Sequence, residues 1–560
     1  MLRCGKVVLR CGVGARRCRA DRRTDPGRFT VPTSYRILVS DPLHASGLEA
    51  LRQAGHEVVE LPPEERPTLP AIIGGFDALI VRSGTKVSAG VLAAGAPRLK
   101  VVGRAGIGVD NIDVAAATEH GILVVNAPTA NLLSATEHTF ALLLALVRRL
   151  PEADRSMKEG RWERKRLVGT ELQGKTLGVI GFGRIGQRVA RRAQAFDMSV
   201  LAYDPFLDPE AVRKYDAEPL ELDELLGRSD FVTIHTPLTK DTRNLLDADR
   251  LGRMKEGACL INCGRGGVVD EAALLAALDD GRLAGAGLDV FSQEPPSDYA
   301  LARHPKVVAT PHLGASTREA QVRVATDAVR MVLAALDGSL AVTAVNLPFR
   351  PAGRAGEPYL RLAETLGRLA SGLQPSAPRA VRAELWGIDD ALHVPLSVAV
   401  LKGVLAPHLG EAVNYVNAER LAQARGVEVV RAVHSAPSDY PTLVAVRLTA
   451  QEGEVEVAGT LFHGHDPRVV RLDEHQLEFR PKDRLLVVRN RDVPGVVGKL
   501  GTVLGDAGVN IAEIHLSRLP GSDQALSVVR LDQPPAGATL EALLALEPVR
   551  SVRLVDLGAG

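Results

Sequence analysis

Residues 176–186 read "TLGVIGFGRIG", an apolar strand running straight into G-x-G-x-x-G, with Gly181, Gly183 and Gly186 as its glycines. The first glycine permits a tight turn, the second lets a pyrophosphate approach the backbone, and the third lets helix and strand pack closely. The anion then meets free N–H groups and the positive dipole end of the following helix. A bare glycine triplet is a common turn pattern, but this one has a carboxylate in the right place. "SVLAYD" is a second strand that ends at Asp204, close to the ~20-residue spacing at which an acid bonds the ribose 2′-hydroxyl. The same carboxylate repels a 2′-phosphate, so the expected cofactor is NAD rather than NADP.

Working outward, "FVTIHT", "ACLINC" and "AGAGLDV" supply further strands of this unit. Before it, from residue 36, "RILVS", "HEVVEL", "DALIVR" and "KVVG" alternate with the helical stretches "ASGLEALRQAG" and "SAGVLAAGA". Strands alternating with helices imply a second parallel α/β sheet. A helix in "SATEHTFALLLALV" joins the two units, and the capping-box spacing of Ser134 and Glu137 is expected to fix its start. "PFRPAGRAGEP" reads as a linker. The block 350–480 mixes strands and helices without a chemical motif. The last segment orders its elements β-α-β-β-α-β, a ferredoxin-like domain.

The bulk properties bound the function. The chain has 560 residues, 46% hydrophobic and 24% charged, which suggests a globular protein of about three or four domains. Its 68 basic and 67 acidic residues nearly cancel, which argues against a nucleic-acid or membrane-surface partner. No uncharged apolar run reaches the ~18 residues of a membrane span. Five cysteines are too few for a disulfide framework, so a reducing cytoplasm is the expected compartment. Residues 1–33 are basic and hold Cys4, Cys11 and Cys18. A metal site, a transit peptide, a disordered tail and upstream DNA translated in error all fit that segment, which is left out of the fold.

Three polar positions follow at strand ends of the dinucleotide unit. "INCGRGGVVDE" places Arg265 in a glycine-rich turn, "LDVFSQEPP" places Glu294 in a proline-rich loop, and "ATPHLGAST" places His312 after Pro311. Ligands of open α/β sheets bind at such carboxyl-end loops. An arginine can hold a carboxylate and polarise a carbonyl. A histidine can take a hydroxyl proton as hydride leaves. A carboxylate on the far ring nitrogen orients that histidine and favours its charged form.

"GRAGIGVDNID", "GFGRIG", "NCGRGGVVDE", "LDVFSQEPP" and "PHLGAST", in this order, resemble the D-2-hydroxyacid dehydrogenases, and among them the long phosphoglycerate dehydrogenases that carry a C-terminal ACT domain. The resemblance implies an α/β fold with two Rossmann-like domains. A discontinuous substrate domain would span 34–127 and 313–347, and an NAD-binding domain 128–312. An intervening α+β domain (350–480) and an ACT domain (484–560) would follow. It implies Arg265, Glu294 and His312 as the catalytic trio, with no metal. It implies cofactor contacts from Ile107, Gly181, Gly183, Arg184, Ile185, Gly186, Asp204, Thr236, Cys263, Gly264, Arg265, Asp289, His312, Leu313, Gly314 and Ala315. Ile107 stands where the family often has a polar contact.

The same resemblance assigns Arg82, Ser83, Arg104 and Asn131 to the substrate, 3-phosphoglycerate. Two arginines at one cleft suit a dianionic phosphate. "GRWERKR" (160–166) resembles an arm that reaches a partner subunit of a homodimer or homotetramer, bringing Arg164 to the neighbouring site. Asn490, Asp492, Gly495 and Asn510 match effector positions for an amino acid such as serine. Asn490 stands where some serine-inhibited relatives carry His or Tyr. Two other readings keep the same motifs: a reductase of another 2-oxo acid, such as glyoxylate or hydroxypyruvate, and an NAD-sensing corepressor-like binding protein.

Overall fold

The computed structural model describes residues 34–339, 343–350, 353, 355–435 and 438–558. Residues 1–33, with the three cysteines noted above, lie outside the described residues.

The first sheet is built from β1 (Arg36–Val39), β2 (Glu57–Glu60), β3 (Ala78–Val81), β4 (Val101–Arg104) and β5 (Leu123–Asn126). All neighbours are parallel, in the order β2-β1-β3-β4-β5. Every residue of β3 is buried, because helices cover both faces and a parallel sheet has no wet side. One covering helix, Arg318–Leu336, comes from far along the chain. It packs Val324, Ala328, Val329 and Val332 against Ile37, Ile80, Val101 and Val125. The chain after it returns to β5, where the Val345 amide donates to the Val124 carbonyl at 2.7 Å.

The second sheet contains β6 (Thr176–Ile180), β7 (Ser199–Tyr203), β8 (Glu218–Pro219), β9 (Phe231–Ile234), β10 (Ala258–Asn262), β11 (Leu283–Leu288) and β12 (Val307–Ala309). Its order is β12-β11-β10-β9-β6-β7-β8, again all parallel. The strand order reverses between β6 and β9. A crevice opens at their carboxyl ends, which is where a doubly wound sheet takes its ligand.

The helix joining the two sheets corrects the capping expectation. It runs from Leu132 to Val147 with Asn131 at its N-cap and no side-chain cap bond. The Ser134 hydroxyl instead pairs with that of Thr317 at 2.8 Å. Ser134 is already inside the helix, so the Ser–Glu spacing marks no terminus.

The rest of the chain forms two further sheets. The first has six strands, with Pro378–Trp386 paired on one side to Glu428–His434 and on the other to Leu443–Ala450. Helices Glu357–Leu373 and Asp390–Leu409 cross on one face of it. The crossing is close because Gly367 and Gly403 present no side chain: a Cβ at Gly403 would fall 2.0 Å from the Glu364 carbonyl oxygen. Among the described residues, Asp390–Leu409 is the one helix long and apolar enough to cross a membrane. Here it is the core helix of this body, with Leu396, Val400, Leu401 and Val404 fully buried.

The last sheet is antiparallel, with strands Ile511–Arg518, Gln524–Leu531, Arg484–Arg491 and Val549–Asp556 in that spatial order. One face of this sheet closes a core of its own with the domain's helices, through Leu486, Val488, Leu500, Leu504, Val529 and Leu543. On the other face Leu485, Val487, Leu526, Val528 and Val555 join the same cluster as Leu366, Leu369 and Leu373 of the preceding body. The intervening and C-terminal segments therefore share an apolar cluster across that face. Their contact with the first sheet's domain is polar by comparison. Asn414 Nδ2 donates to the Gly121 carbonyl at 2.6 Å, and Arg420 pairs with Glu119 at 3.0 Å. Gly121 (φ +68°) also makes room for Asn417, since a Cβ there would lie 2.6 Å from Asn417 Nδ2.

The shared core has a measurable consequence. Leu485, 1% exposed, is expected on mutation to alanine to cost about 2–5 kcal/mol, as buried leucines do. Hydrogen exchange should then accelerate together in strand Arg484–Arg491 and helix Glu357–Leu373. Acceleration confined to the C-terminal sheet would mean that the two cores are independent.

Candidate active site

The crevice of the second sheet is shaped as a dinucleotide cradle. Gly181 follows β6 with φ +88°, a left-handed conformation open to glycine. A Cβ there would meet the His235 carbonyl carbon at 2.8 Å. At Gly183 a Cβ would meet nothing within 4 Å, so that wall is open for a pyrophosphate. At Gly186 it would strike the Gly181 carbonyl oxygen at 2.3 Å, which is why strand and helix need a glycine there. The helix that follows, Arg184–Ala195, begins at this turn and points its first amides into it. Ile185 packs into the core beneath.

Asp204 ends β7 beside the turn. Its carboxylate accepts from the Phe182 amide at 2.9 Å and from the Phe206 amide at 3.0 Å. The Thr236 hydroxyl, after β9, is buried without a partner among the described residues. An open glycine wall, a pinned carboxylate and an orphaned hydroxyl together fit NAD.

The 310–314 turn is held by Asp289. This carboxylate is 1% exposed and accepts from Thr310 Oγ1 (2.6 Å), the Leu313 amide (2.6 Å), the Gly314 amide (2.8 Å) and His138 Nε2 (3.2 Å). Burial alone would raise its pKa. The hydrogen bonds from His138, Thr310 and Leu313 outweigh burial and hold it below the usual carboxylate range. Its own backbone carbonyl accepts from the His312 amide at 2.8 Å. His312 sits at φ +55°, a conformation that costs a non-glycine residue about 1–3 kcal/mol and needs such outside support.

His312 Nδ1 lies 2.6 Å from Glu294 Oε2. A carboxylate accepts only, so Nδ1 carries the proton and Nε2 is left for chemistry. Ala315 closes the turn, its carbonyl accepting from Gln321. Cys263, after β10, is a spectator by charge: burial, and then the nearby Asp289, push its thiol up to about 12.

Three cations cluster where the two sheets meet, two from the first sheet and one from the second. Arg104 ends β4, and Arg82 follows β3, with Ser83 next to it. Arg265 reaches over from the β10 loop: its Nε donates to Asp110 at 3.0 Å and its Nη1 to the Gly264 carbonyl at 2.7 Å. Burial, then the Arg265 and Arg82 charges, lower Arg104 to about 10, so it stays cationic at neutral pH. Among the described residues its Nε is buried without a partner, as is Asn131 Oδ1 at the interdomain helix. The Ile107 carbonyl accepts from Asn126.

Sequence reasoning passed over three residues that organise this cluster. Asp41, 4% exposed, accepts from the Arg82 and Thr85 amides and pairs with Arg66 at 2.7 Å, bracing the 82–85 loop. Asp110 holds Arg265, and His138 supports Asp289. Each is a long-range contact within a common residue type, with no local spacing to betray it.

Two assignments fall outside the cluster. Arg164 lies on an exposed stretch near Trp162 and makes no hydrogen bond or ion pair with the site residues among those described. The effector positions gather in the last sheet. Gly495 (φ +86°) caps helix Val496–Asp506, Asp492 pairs with Arg518 at 3.3 Å, and Asn510 donates to Asp532 at 2.6 Å. Asn490 is 2% exposed. Its Nδ2 donates to the Arg491 carbonyl and its Oδ1 has no partner among the described residues.

Three families match the chain. They are "D-isomer specific 2-hydroxyacid dehydrogenase, NAD binding domain" over residues 140–314, "D-3-phosphoglycerate dehydrogenase intervening domain" over 356–473, and "ACT domain" over 484–548. The chain is 39% identical over 526 residues to the curated D-3-phosphoglycerate dehydrogenase of Bacillus subtilis, covering 93% of this chain and 100% of the relative. It is 40% identical to that of Synechocystis, covering 94% and 95%. Among solved structures, the D-lactate dehydrogenase of Aquifex aeolicus complexed with NAD and lactic acid matches with a TM-score of 0.50 at 30% identity, covering 55% of this chain and 98% of that one.

One buried group gives the site a pH dependence. Burial lowers His235, packed under the Gly181 turn, to about 4. The unfolded chain takes up this proton near pH 6.5 and the folded chain does not. The neutral ring's stabilisation is therefore complete above pH 6.5 and erodes as pH falls toward 4, by about 3 kcal/mol at most. His235→Asn is expected to flatten the fall in urea midpoint between pH 7 and 5. An unchanged slope would mean that this ring titrates freely.

Proposed function

We infer, from a chain that belongs to the D-3-phosphoglycerate dehydrogenases of the D-isomer specific 2-hydroxyacid dehydrogenase family, how its residues divide the work. The enzyme oxidises 3-phospho-D-glycerate to 3-phosphohydroxypyruvate, the first step toward L-serine, and its cofactor is NAD. The observation that carries the assignment of roles is the 2.6 Å His312–Glu294 couple, in a chain that also gathers Arg82, Arg104 and Arg265 into one cluster.

NAD, when bound, would supply the acceptor for the C2 hydride of the substrate. His312 Nε2 takes the C2 hydroxyl proton, which becomes easier to lose as the carbon turns into a carbonyl. The Glu294 carboxylate, already 2.6 Å from Nδ1, stabilises the imidazolium that results. Arg265 holds the substrate carboxylate and polarises the forming carbonyl, while Arg82 and Arg104 take the phosphate. The Gly181–Gly186 turn would hold the cofactor pyrophosphate and Asp204 its ribose, with Thr236, Asp289 and the Leu313–Ala315 turn as further cofactor contacts. We place the enzyme in the cytoplasm as a homo-oligomer, its exposed Trp162 arm carrying Arg164 toward a second copy. L-Serine is the proposed effector of the ACT domain, met by Asp492, Asn510 and the amides at Gly495; titrating serine against initial rate tests this.

His312→Ala is expected to lower kcat by about a hundred-fold or more, the scale of a positioned acid/base, with NADH binding retained. Turnover near the wild-type rate would remove His312 from the chemistry. Arg82→Ala should raise KM for 3-phosphoglycerate far more than for unphosphorylated glycerate. Equal losses would show that Arg82 does not read the phosphate, and a preference of the wild-type protein for glyoxylate or hydroxypyruvate would favour the other 2-oxo acid reading.

A further inference from the structure

Arg265 and the first sheet meet through a residue that the assignment above leaves without a role. Arg265 stands in the loop after β10, and Asp110 stands in the loop after β4, on the opposite domain. The Nε–Oδ2 bond of 3.0 Å therefore spans the cleft. The loop that carries Asp110 is also shaped to receive the guanidinium. A Cβ on Gly108 would fall 2.0 Å from Arg265 Nη2 and 2.7 Å from Asp110 Oδ2. Two residues back, a Cβ on Gly106 would fall 1.6 Å from Arg104 Nη1. Two guanidiniums thus lie against bare backbone in one short loop, and one of them is tethered by a carboxylate from that loop.

The donors of Arg265 are divided accordingly. Nε is taken by Asp110 and one Nη1 hydrogen by the Gly264 carbonyl, which leaves, among the described residues, both Nη2 hydrogens and the second on Nη1 for an incoming oxygen. A guanidinium presents its donors in a rigid plane, so fixing Nε fixes where Nη2 points. Arg265 swinging away by an ångström would misplace the group that meets the forming carbonyl, a displacement that costs on the order of a hundred-fold in rate.

We propose that Asp110 is a positioning residue for the reaction: it holds Arg265 by Nε against the Gly108 backbone, aims Nη2 at the substrate, and sets the spacing of the two domains around it. This rests on the reading of Arg265 as the substrate-binding arginine. Asp110→Asn keeps the shape and one acceptor but removes the charge that makes the bond strong.

The test is steady-state oxidation of 3-phosphoglycerate by the full chain in four forms: wild type, Asp110→Asn, Arg265→Ala and the double variant. Asp110→Asn alone is expected to lower kcat about ten-fold or more, with melting temperature and NADH affinity near wild type. In the Arg265→Ala background the same substitution should change kcat by less than about two-fold, because a residue acting through another has nothing left to act on. A purely structural role would give the same loss in both backgrounds and overturns the proposal. So does an Asp110→Asn variant with wild-type kcat. Arg265→Ala with wild-type kcat instead overturns the reading of Arg265 itself. Should Asp110→Asn fail to fold, Gly108→Ala displaces the guanidinium from the other side and is expected to show the same loss and the same silence without Arg265. Loss of kcat by Gly108→Ala that persists undiminished without Arg265 overturns the proposal as well.

Discussion

The buried carboxylate of Asp289 ties the site together. It stands at the end of β11 with no room for water, and four donors from two elements converge on it. Three of them come from the 310–314 turn, so the turn cannot relax without stranding an anion in a low-dielectric interior, a far larger cost than any single hydrogen bond. The unfavourable backbone of His312 is held by that threat. The fourth donor, His138, belongs to the helix between the domains, so the backbone of His312 is tied through Asp289 to that helix.

Around this anchor the two sheets divide the chemistry by charge. The second sheet supplies open glycine backbone and carboxylates, which suit a dinucleotide with its ribose hydroxyls. The first supplies arginines, which suit a small polyanion. Each charged group is itself braced: Asp41 fixes the loop of Arg82, and Arg104 lies on the backbone of Gly106. The lowered pKa of Arg104 reflects its burial first and then the crowding of Arg265 and Arg82 around it.

The strand alternation, the glycine turn with Asp204, the order of Arg265, Glu294 and His312, and the β-α-β-β-α-β tail were all legible in the sequence, because each rests on local spacing. What was not legible depends on distance along the chain. Asp110 and Arg265 are 155 residues apart, and no period links them. Glu137 and Ser134 have a capping spacing, yet the helix begins at Leu132 and the Ser134 hydroxyl is spent on Thr317, 183 residues away. The block 350–480 carries no chemical motif because its residues do their work by filling a core, and its merger with the C-terminal sheet is written only in which apolar side chains meet.

That merger also has a mechanical consequence. Among the described residues, the half that carries the two parallel sheets meets the rest of the chain through side-chain amides, the Arg420 guanidinium and the Gly121 carbonyl, whereas the two later segments are joined through leucines and valines. A polar seam leaves little greasy surface behind when it is parted. Parting the C-terminal sheet from the intervening segment would instead tear open a hydrophobic cluster.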